Sequence, residues 1–402
     1  MQATLPLAFE KVSSPPSFPE SIAPSPLLTE LQAIITQELA PLVQRIDQEG
    51  LYPREFMHHV GALQGFGQAV STEFGGTGNG LKSAIQVIEA ISAECLCTGF
   101  MTWCQIACTW YMQNSDNSYL QTQVLPKVAK GEILGGTGLS NPMKHFADIE
   151  KIALTAERKS GGYVLNGLLP WVSNIGSGHP FGIAAKLAHG DGYLMAIASD
   201  QFAGLTLRQN AHFIALEGSG TFSCHFNDVF IPNEWILAAP CEDYVLRIRP
   251  GFILTQVGMG LGLIADCINT IERYQSRLGH VNAFLDDQAE DLAAELAIAH
   301  RQTYDLADEL SQPNVKITPD LLREVIKIRI AGSELSLKAA NAAMLHAGAR
   351  AYLHGSRPAR RLREAYFVAI VTPAIKQLKK MLHRLEQGNL QVAGKLLEMP
   401  YE

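Results

Sequence analysis

KIALTAERKSGGYVLNGLLPWVSN, residues 151–174, decides the fold, because it breaks the helical texture on either side of it. It reads as two β-type runs meeting at Gly161-Gly162, a natural hairpin position. Further short runs follow at 181–199 (FGIAAKLAHGDGYLMAIAS), 204–210 (GLTLRQN) and 223–232 (SCHFNDVFIP), with Gly190-Asp191-Gly192 as another turn signal. Residues 135–241 are therefore expected to form a small antiparallel β domain.

Upstream, apolar residues recur at three- and four-residue spacing in LLTELQAIITQELAPLVQRI (27–46) and AIQVIEAISAECL (84–96). A glycine-rich loop, EFGGTGNG (73–80), interrupts them. Residues 27–134 thus read as an N-terminal α-helical domain. Residues 1–26, with Pro15, Pro16, Pro19, Pro24 and Pro26, read as an extended arm. Downstream of residue 242 the helical period returns in four long segments, 251–274, 289–310, 321–349 and 363–385. Short links between long amphipathic segments predict a C-terminal four-helix bundle over 242–402. The fold class is α+β, mainly α, in the order helices, sheet, helices.

Composition narrows the function classes. Of 402 residues, 47% are hydrophobic and 18% charged, so the chain can bury a large core. A net charge of -7 and a pI near 6.0 argue against nucleic acid as the main partner. No uninterrupted apolar run reaches eighteen residues, so no membrane span is expected. The N-terminus lacks a basic segment followed by an apolar one, the mark of a secretory signal. Seven cysteines fit no disulfide framework, and Cys95, Cys97, Cys104 and Cys108 stand in an apolar run without histidine. They are read as small buried hydrophobes rather than metal ligands, in a reducing, cytoplasmic setting.

Five strings stand in order across about 300 residues, STEFGGTGNG, GLSNPMKHFAD, YVLNGLLPWVSN, LEGSGTFSCHFNDVFIP and RLREAYFVAI, and together they resemble acyl-CoA dehydrogenases. STEFGGTGNG is similar to that family's EFGG-G loop. GLSNPMKHFAD resembles its L-T-E-P-G-x-G-S-D segment, and YVLNGLLPWVSN its Y-x-x-N-G-x-K-x-W-I-(T/S)-N. LEGSGTFSCHFNDVFIP resembles R-x-S-x-T followed by F-x-D-V-x-V-P, and RLREAYFVAI the R-x-x-R-D-A helix. The resemblance implies an acyl-CoA dehydrogenase-like fold, an FAD cofactor and assembly into homodimers or homotetramers. It implies that the Leu139 amide and Ser140 hydroxyl contact the pyrimidine side of the flavin. Trp171 would pack against the isoalloxazine, and Ser173 would reach N5; the alternative for Trp171 is a filler of the β-domain core. Arg277, in Ser276-Arg277-Leu278-Gly279, stands displaced near the family's R-x-x-F-G arginine, where it would pair with a phosphate or remain a solvated surface arginine. Gly348 is the one glycine kept from Q-x-x-G-G.

The departure that matters most concerns the base. The family's usual glutamate lies nine residues after the arginine of R-D-A; nine residues after Arg363 stands Thr372. Threonine is no general base at neutral pH without an activating partner. The alternative family position falls in Gly251-Phe252-Ile253-Leu254-Thr255, which holds no acid. Glu364 is expected to pair with Arg357, Arg360 or Arg361, and Glu217, His346 and His354 are assigned no role. The basic runs Arg357–Arg363 and Lys376–Arg384 could receive phosphates or serve as helix faces. The catalytic residue is left unassigned, and no metal is expected. The implied activity is α,β-oxidation of an acyl thioester, carried on CoA or a carrier protein, or of a related small molecule. The rivals are a reduced-flavin monooxygenase on the same fold, for which FMN is an option, and a catalytically silent flavin-binding paralogue. The electron acceptor or flavin reductase is left open.

Overall fold

The computed structural model describes residues 25–388 except Asp191, together with 391–392 and 395–396. The arm expected over 1–26 lies outside these residues but for Ser25 and Pro26. Ser25 accepts the Leu28 amide at 3.3 Å and so caps the first helix.

Six α-helices come first: α1 (Pro26–Ile34), α2 (Val43–Glu49), α3 (Arg54–Ala62), α4 (Gly80–Glu94), α5 (Leu96–Gln113) and α6 (Leu125–Ala129). The sheet follows: β1 (Gly136–Thr137), a short helix α7 (Ser140–His145), β2 (Leu154–Lys159), β3 (Gly162–Val172), β4 (Phe181–Leu187), β5 (Tyr193–Ala198), β6 (Leu205–Arg208), β7 (Phe222–Pro232) and β8 (Ile236–Ala238). Its order is β6-β7-β3-β2-β4-β5-β8, with β1 beside β4. Pairing is antiparallel except for β2–β4 and β1–β4. Gly161 takes φ +81° at the β2–β3 turn, where a Cβ would be strained.

The chain then returns to helices: α8 (Glu242–Thr255), α9 (Val257–Asn282), α10 (Ala289–Leu310), α11 (Pro319–Ala347), α12 (Arg357–Ile370) and α13 (Ile375–Glu386). The last expected segment, 363–385, is two helices rather than one. Pro373 has no N–H to donate and disfavours helical backbone at Thr372, so α12 stops and α13 starts afresh. That break places Thr372 in a connecting segment rather than on a helix face. The stretch 242–282 is long and apolar enough to cross a membrane by length and composition, but 94% of its most apolar window is buried inside the fold. It is the central strut of the helical core. Gly262 on α9 lies so close to α4 that a Cβ would meet the Glu89 carbonyl oxygen at 2.2 Å. One apolar core unites the N-terminal and C-terminal helices, while the sheet has its own. All seven cysteines are buried and unpaired.

Candidate active site

The two helical layers and the sheet meet at a cleft of about 330 Å³, within the usual range for small-molecule sites, roughly 300–1,000 Å³. Each wall comes from a different part of the chain. The sheet contributes Trp171 and Ser173 from the end of β3, and α7 contributes Ser140 and Lys144. Phe100 and Trp103 come from α5, Phe252 from α8, and Phe367, Ile370 and Thr372 from α12 and the segment after it.

Trp171 reaches the cleft because β3 carries an extra residue. Leu169 pairs with Cys224 and Val172 with Phe222, so three steps on β3 oppose two on β7. The bulge falls at Pro170, which has no N–H for the ladder. In strict alternation Trp171 would share the inward face with Leu165 and Leu169. The extra residue hands that place to the buried Val172 and turns Trp171 outward, 50% exposed. The core-filler reading of Trp171 is therefore set aside. Among the described residues, the Lys144 ammonium, 5.3 Å from the ring centroid, stands over the indole.

The segment after β3 is fixed just as tightly. Asn174 takes φ +58°. Its amide donates to the Gly135 carbonyl at 2.7 Å and its oxygen accepts the Tyr52 hydroxyl at 2.8 Å. Ser173, one residue back, is thereby held facing the cleft, with its hydroxyl 2.9 Å from that of Thr221. Thr221 is in turn 2.8 Å from the Ser219 hydroxyl. On the opposite side the Ser140 and Thr372 hydroxyls are 3.1 Å apart. Leu139 is buried, and its amide reaches the Thr137 hydroxyl at 3.4 Å, the long end of a hydrogen bond. An apolar slot edged by hydroxyls, with one flat half-exposed indole, fits the ring half of a flavin.

Thr372 is held from behind. Gln256, at the α8–α9 joint, donates to its carbonyl at 2.9 Å. The fully buried Arg329 donates to the Gln256 side-chain oxygen at 3.0 Å and to the Val368 carbonyl at 2.8 Å. No aspartate or glutamate lines the cleft among the described residues; Lys144 is its sole charged wall. From the alternative family stretch, Gly251–Thr255, Phe252 lines the cleft and offers only its ring.

The acids considered from the sequence have other work. Glu364 pairs with Arg360 at 3.1 Å and Arg361 at 2.8 Å. Asp266 on α9 joins them, 2.6 Å from Arg361 and 2.7 Å from Arg357. Arg363 pairs with Asp47 at 2.6 Å. The arginine run is thus a tie between α12, α9 and the N-terminal helices, buried at Arg360 and Arg361 and partly exposed at Arg357 and Arg363, with each guanidinium paired to a carboxylate. Glu217 accepts the Phe213 amide at 2.8 Å and so braces a loop that lines the cleft. His346 is buried at the end of α11, with Nε2 2.9 Å from the Asp287 carbonyl.

Of the six flavin contacts expected from the sequence, Ser140, Trp171 and Ser173 line the cleft, while Leu139 is buried beside Ser140 and is not one of its walls. Arg277 and Gly348 do not line the cleft: Arg277 is exposed on α9, and Gly348 caps α11 with φ +59°. Lys144 and the aromatic wall were missed. Phe100 and Trp103 are hidden in a uniformly apolar helix, where periodicity gives no sign of which face meets a cavity. Ser219 and Thr221 were within reach, since they are the hydroxyls of the R-x-S-x-T-like string.

Residues 26–132 match the acyl-CoA dehydrogenase N-terminal domain. Over 383 residues the chain is 24% identical to a glutaryl-CoA dehydrogenase of Desulfococcus multivorans, spanning 92% of this chain and 97% of that protein. It is 25% identical over 291 residues to the mitochondrial isovaleryl-CoA dehydrogenase of Pongo abelii, covering 68% of each. Among solved structures, a glutaryl-coenzyme A dehydrogenase with glutaryl-CoA superposes with a TM-score of 0.81 at 22% identity, over 93% of this chain and 97% of that one. The FAD complex of PigA gives 0.77 at 18% identity, over 92% and 99%. These two likenesses speak for the fold. Together with the N-terminal domain match and the relatives at 24% and 25% identity, they support a flavin-dependent oxidoreductase of the acyl-CoA dehydrogenase type.

Proposed function

We propose that the protein is an FAD-dependent oxidoreductase whose substrate, an acyl thioester or a related small molecule, lies between the flavin ring and the wall of Phe252, Phe367, Ile370 and Thr372. The observation that carries this reading is the convergence of Ser140, Trp171, Ser173 and Thr372 on one apolar cleft. When bound, FAD would supply the atom that accepts hydride. The chain's part is to hold and shield. Trp171 offers a stacking face, and the hydroxyls of Ser140 and Ser173 offer hydrogen bonds to the polar edges of the ring. The aromatic wall keeps water from the reacting carbon. Deprotonation of the substrate by a carboxylate is not available at Thr372, so substrates whose α-hydrogen needs a strong base should react slowly.

The acid-free cleft favours one second reading, a monooxygenase that uses reduced flavin and oxygen and needs no α-proton base. Two measurements separate the readings. Anaerobic mixing of FAD-loaded protein with acyl-CoAs of several chain lengths should bleach the flavin band if the first holds. Oxygen consumption with externally supplied reduced flavin should occur if the second holds. Protein that retains no FAD at high micromolar concentration would sink the first, and no oxygen consumption with reduced flavin would sink the second.

A further inference from the structure

Behind the Thr372–Pro373 segment lies a second pocket, separate from the cleft. Its floor is Arg249 of α8, its walls include Met143, Phe146, Ile253, Pro373 and Met381, and Lys380 and Arg384 stand among its lining. Arg249 is only 3% exposed, yet among the described residues it has no hydrogen-bond or ion-pair partner. Arg329, equally buried, shows the ordinary outcome: it donates to Gln256, Ser333 and the Val368 carbonyl. Burial alone lowers the Arg249 pKa, to about 10, so the guanidinium is still charged at neutral pH.

A buried, uncompensated charge costs several kcal/mol unless something neutralises it. No carboxylate lines the pocket. The nearby Asp148 is occupied, bonded to Arg384 at 2.6 Å and receiving the Lys380 ammonium on its carbonyl at 2.9 Å. The balance around Arg249 is therefore positive, and the missing partner has to come from solution. Its size is limited: the centre of a water-sized sphere can range over only about 10 Å³ there, so the pocket admits one small ion or water. Gln377, Lys380 and Arg384 also line the pocket, but so small a space between Met143, Phe146, Ile253 and Pro373 leaves no room for the four oxygens of a phosphate or sulfate. A compact, weakly hydrated ion needs only the one guanidinium.

We propose that this pocket binds a single compact monovalent anion of chloride size against Arg249. Seated against Pro373, the ion steadies the segment that presents Thr372 to the cleft. The inference does not depend on the flavin reading, since its ligand, pocket and test are all separate from it.

The test is thermal unfolding of the full chain, titrating chloride for gluconate at fixed ionic strength. The wild type should show a saturable rise in Tm of about 2 °C or more, as a ligand bound to the folded state alone requires. Arg249→Met should lose that response and, in gluconate, melt no lower than the wild type, because an apolar replacement removes a charge that had no partner. Crystals of the wild type soaked in bromide should show an anomalous peak in contact with the Arg249 guanidinium. A Tm indifferent to chloride, a response kept by Arg249→Met, or a rise with phosphate but not chloride would each overturn the proposal. Should Arg249→Met fail to fold, the bromide peak decides: present at Arg249 it supports the site, absent it removes it.

Discussion

A general base works only if its carboxylate stands over the reacting carbon, and at Thr372 the carboxylate is gone while the position is kept. The Thr372 hydroxyl faces Ser140 in the cleft, and its carbonyl is held by Gln256. We therefore expect straight-chain acyl-CoAs to bleach bound flavin slowly or not at all. Thr372→Glu with Pro373→Gly should restore part of the rate, up to the 10²–10⁴-fold a positioned general base is worth. Removing the proline matters, since its fixed φ near -65° restricts how the new side chain can swing. Anaerobic stopped-flow absorbance is the measurement, and rapid bleaching by the unaltered protein would show that another residue abstracts the proton. Trp171 is the second residue to test. With half of its indole free, Trp171→Ala should weaken FAD binding about 3- to 10-fold, the worth of one aromatic contact at roughly 0.5–1.5 kcal/mol. Equal affinity in the variant, measured by flavin fluorescence quenching, would mean that the ring sits elsewhere.

At the scale of elements, the tie between α9 and α12 sets how the cleft's far wall is held. Asp266 is buried between Arg357 and Arg361, and burial opposes its charge while the two guanidiniums win, holding its pKa down at about 2. The folded-state pKa lies below the unfolded value near 3.9, so this carboxylate stabilises the fold fully above about pH 4. That contribution, roughly 2–3 kcal/mol, should fade as pH falls from about 4 towards 2. Asp266→Asn should lower stability by about 3–5 kcal/mol at pH 7, because it leaves the fully buried Arg361 and the partly buried Arg357 each short of a partner. Urea unfolding at pH 7 and pH 3 checks both parts: the gap between wild type and variant should shrink at the lower pH. The sequence made much of this element order legible, since helical period and β runs survive in composition. Counting nine residues from Arg363 found the cleft residue Thr372. What it hid is three-dimensional. A bulge at Pro170 reverses the face of Trp171, and an arginine without a partner, such as Arg249, looks in sequence like any other. Pro373 was visible all along as a breaker within 363–385, but the apolar period on both sides outweighed it.

For the whole molecule, the question is whether one chain completes its own site. Ile370 lines the cleft and is still 64% exposed, so the wall it belongs to is open to the outside. At the end of the bundle, Asn282 of α9 donates to the His346 carbonyl of α11 at 3.1 Å, bringing the ends of those helices together. Around that junction Val281, Phe284 and Leu345 are exposed, Phe284 by 87%, and Tyr352 just beyond is exposed by 90%. Single exposed apolar residues are ordinary on a monomer, but aromatic and aliphatic side chains gathered at one end mark a surface that another molecule covers. Arg277, too, is exposed on α9, outside the cleft of its own chain. We expect a homodimer or homotetramer in solution. Sedimentation velocity at micromolar concentration should give a mass at least twice the 43.8 kDa of one chain. Phe284→Asp combined with Tyr352→Asp should shift the distribution towards monomer, since burying two carboxylates in an apolar contact is costly. FAD retention should be followed in the same samples. Loss of FAD together with loss of association would show that the second chain helps hold the cofactor. A monomeric wild type that binds FAD tightly would show instead that one chain suffices, and that the apolar end of the bundle serves another partner.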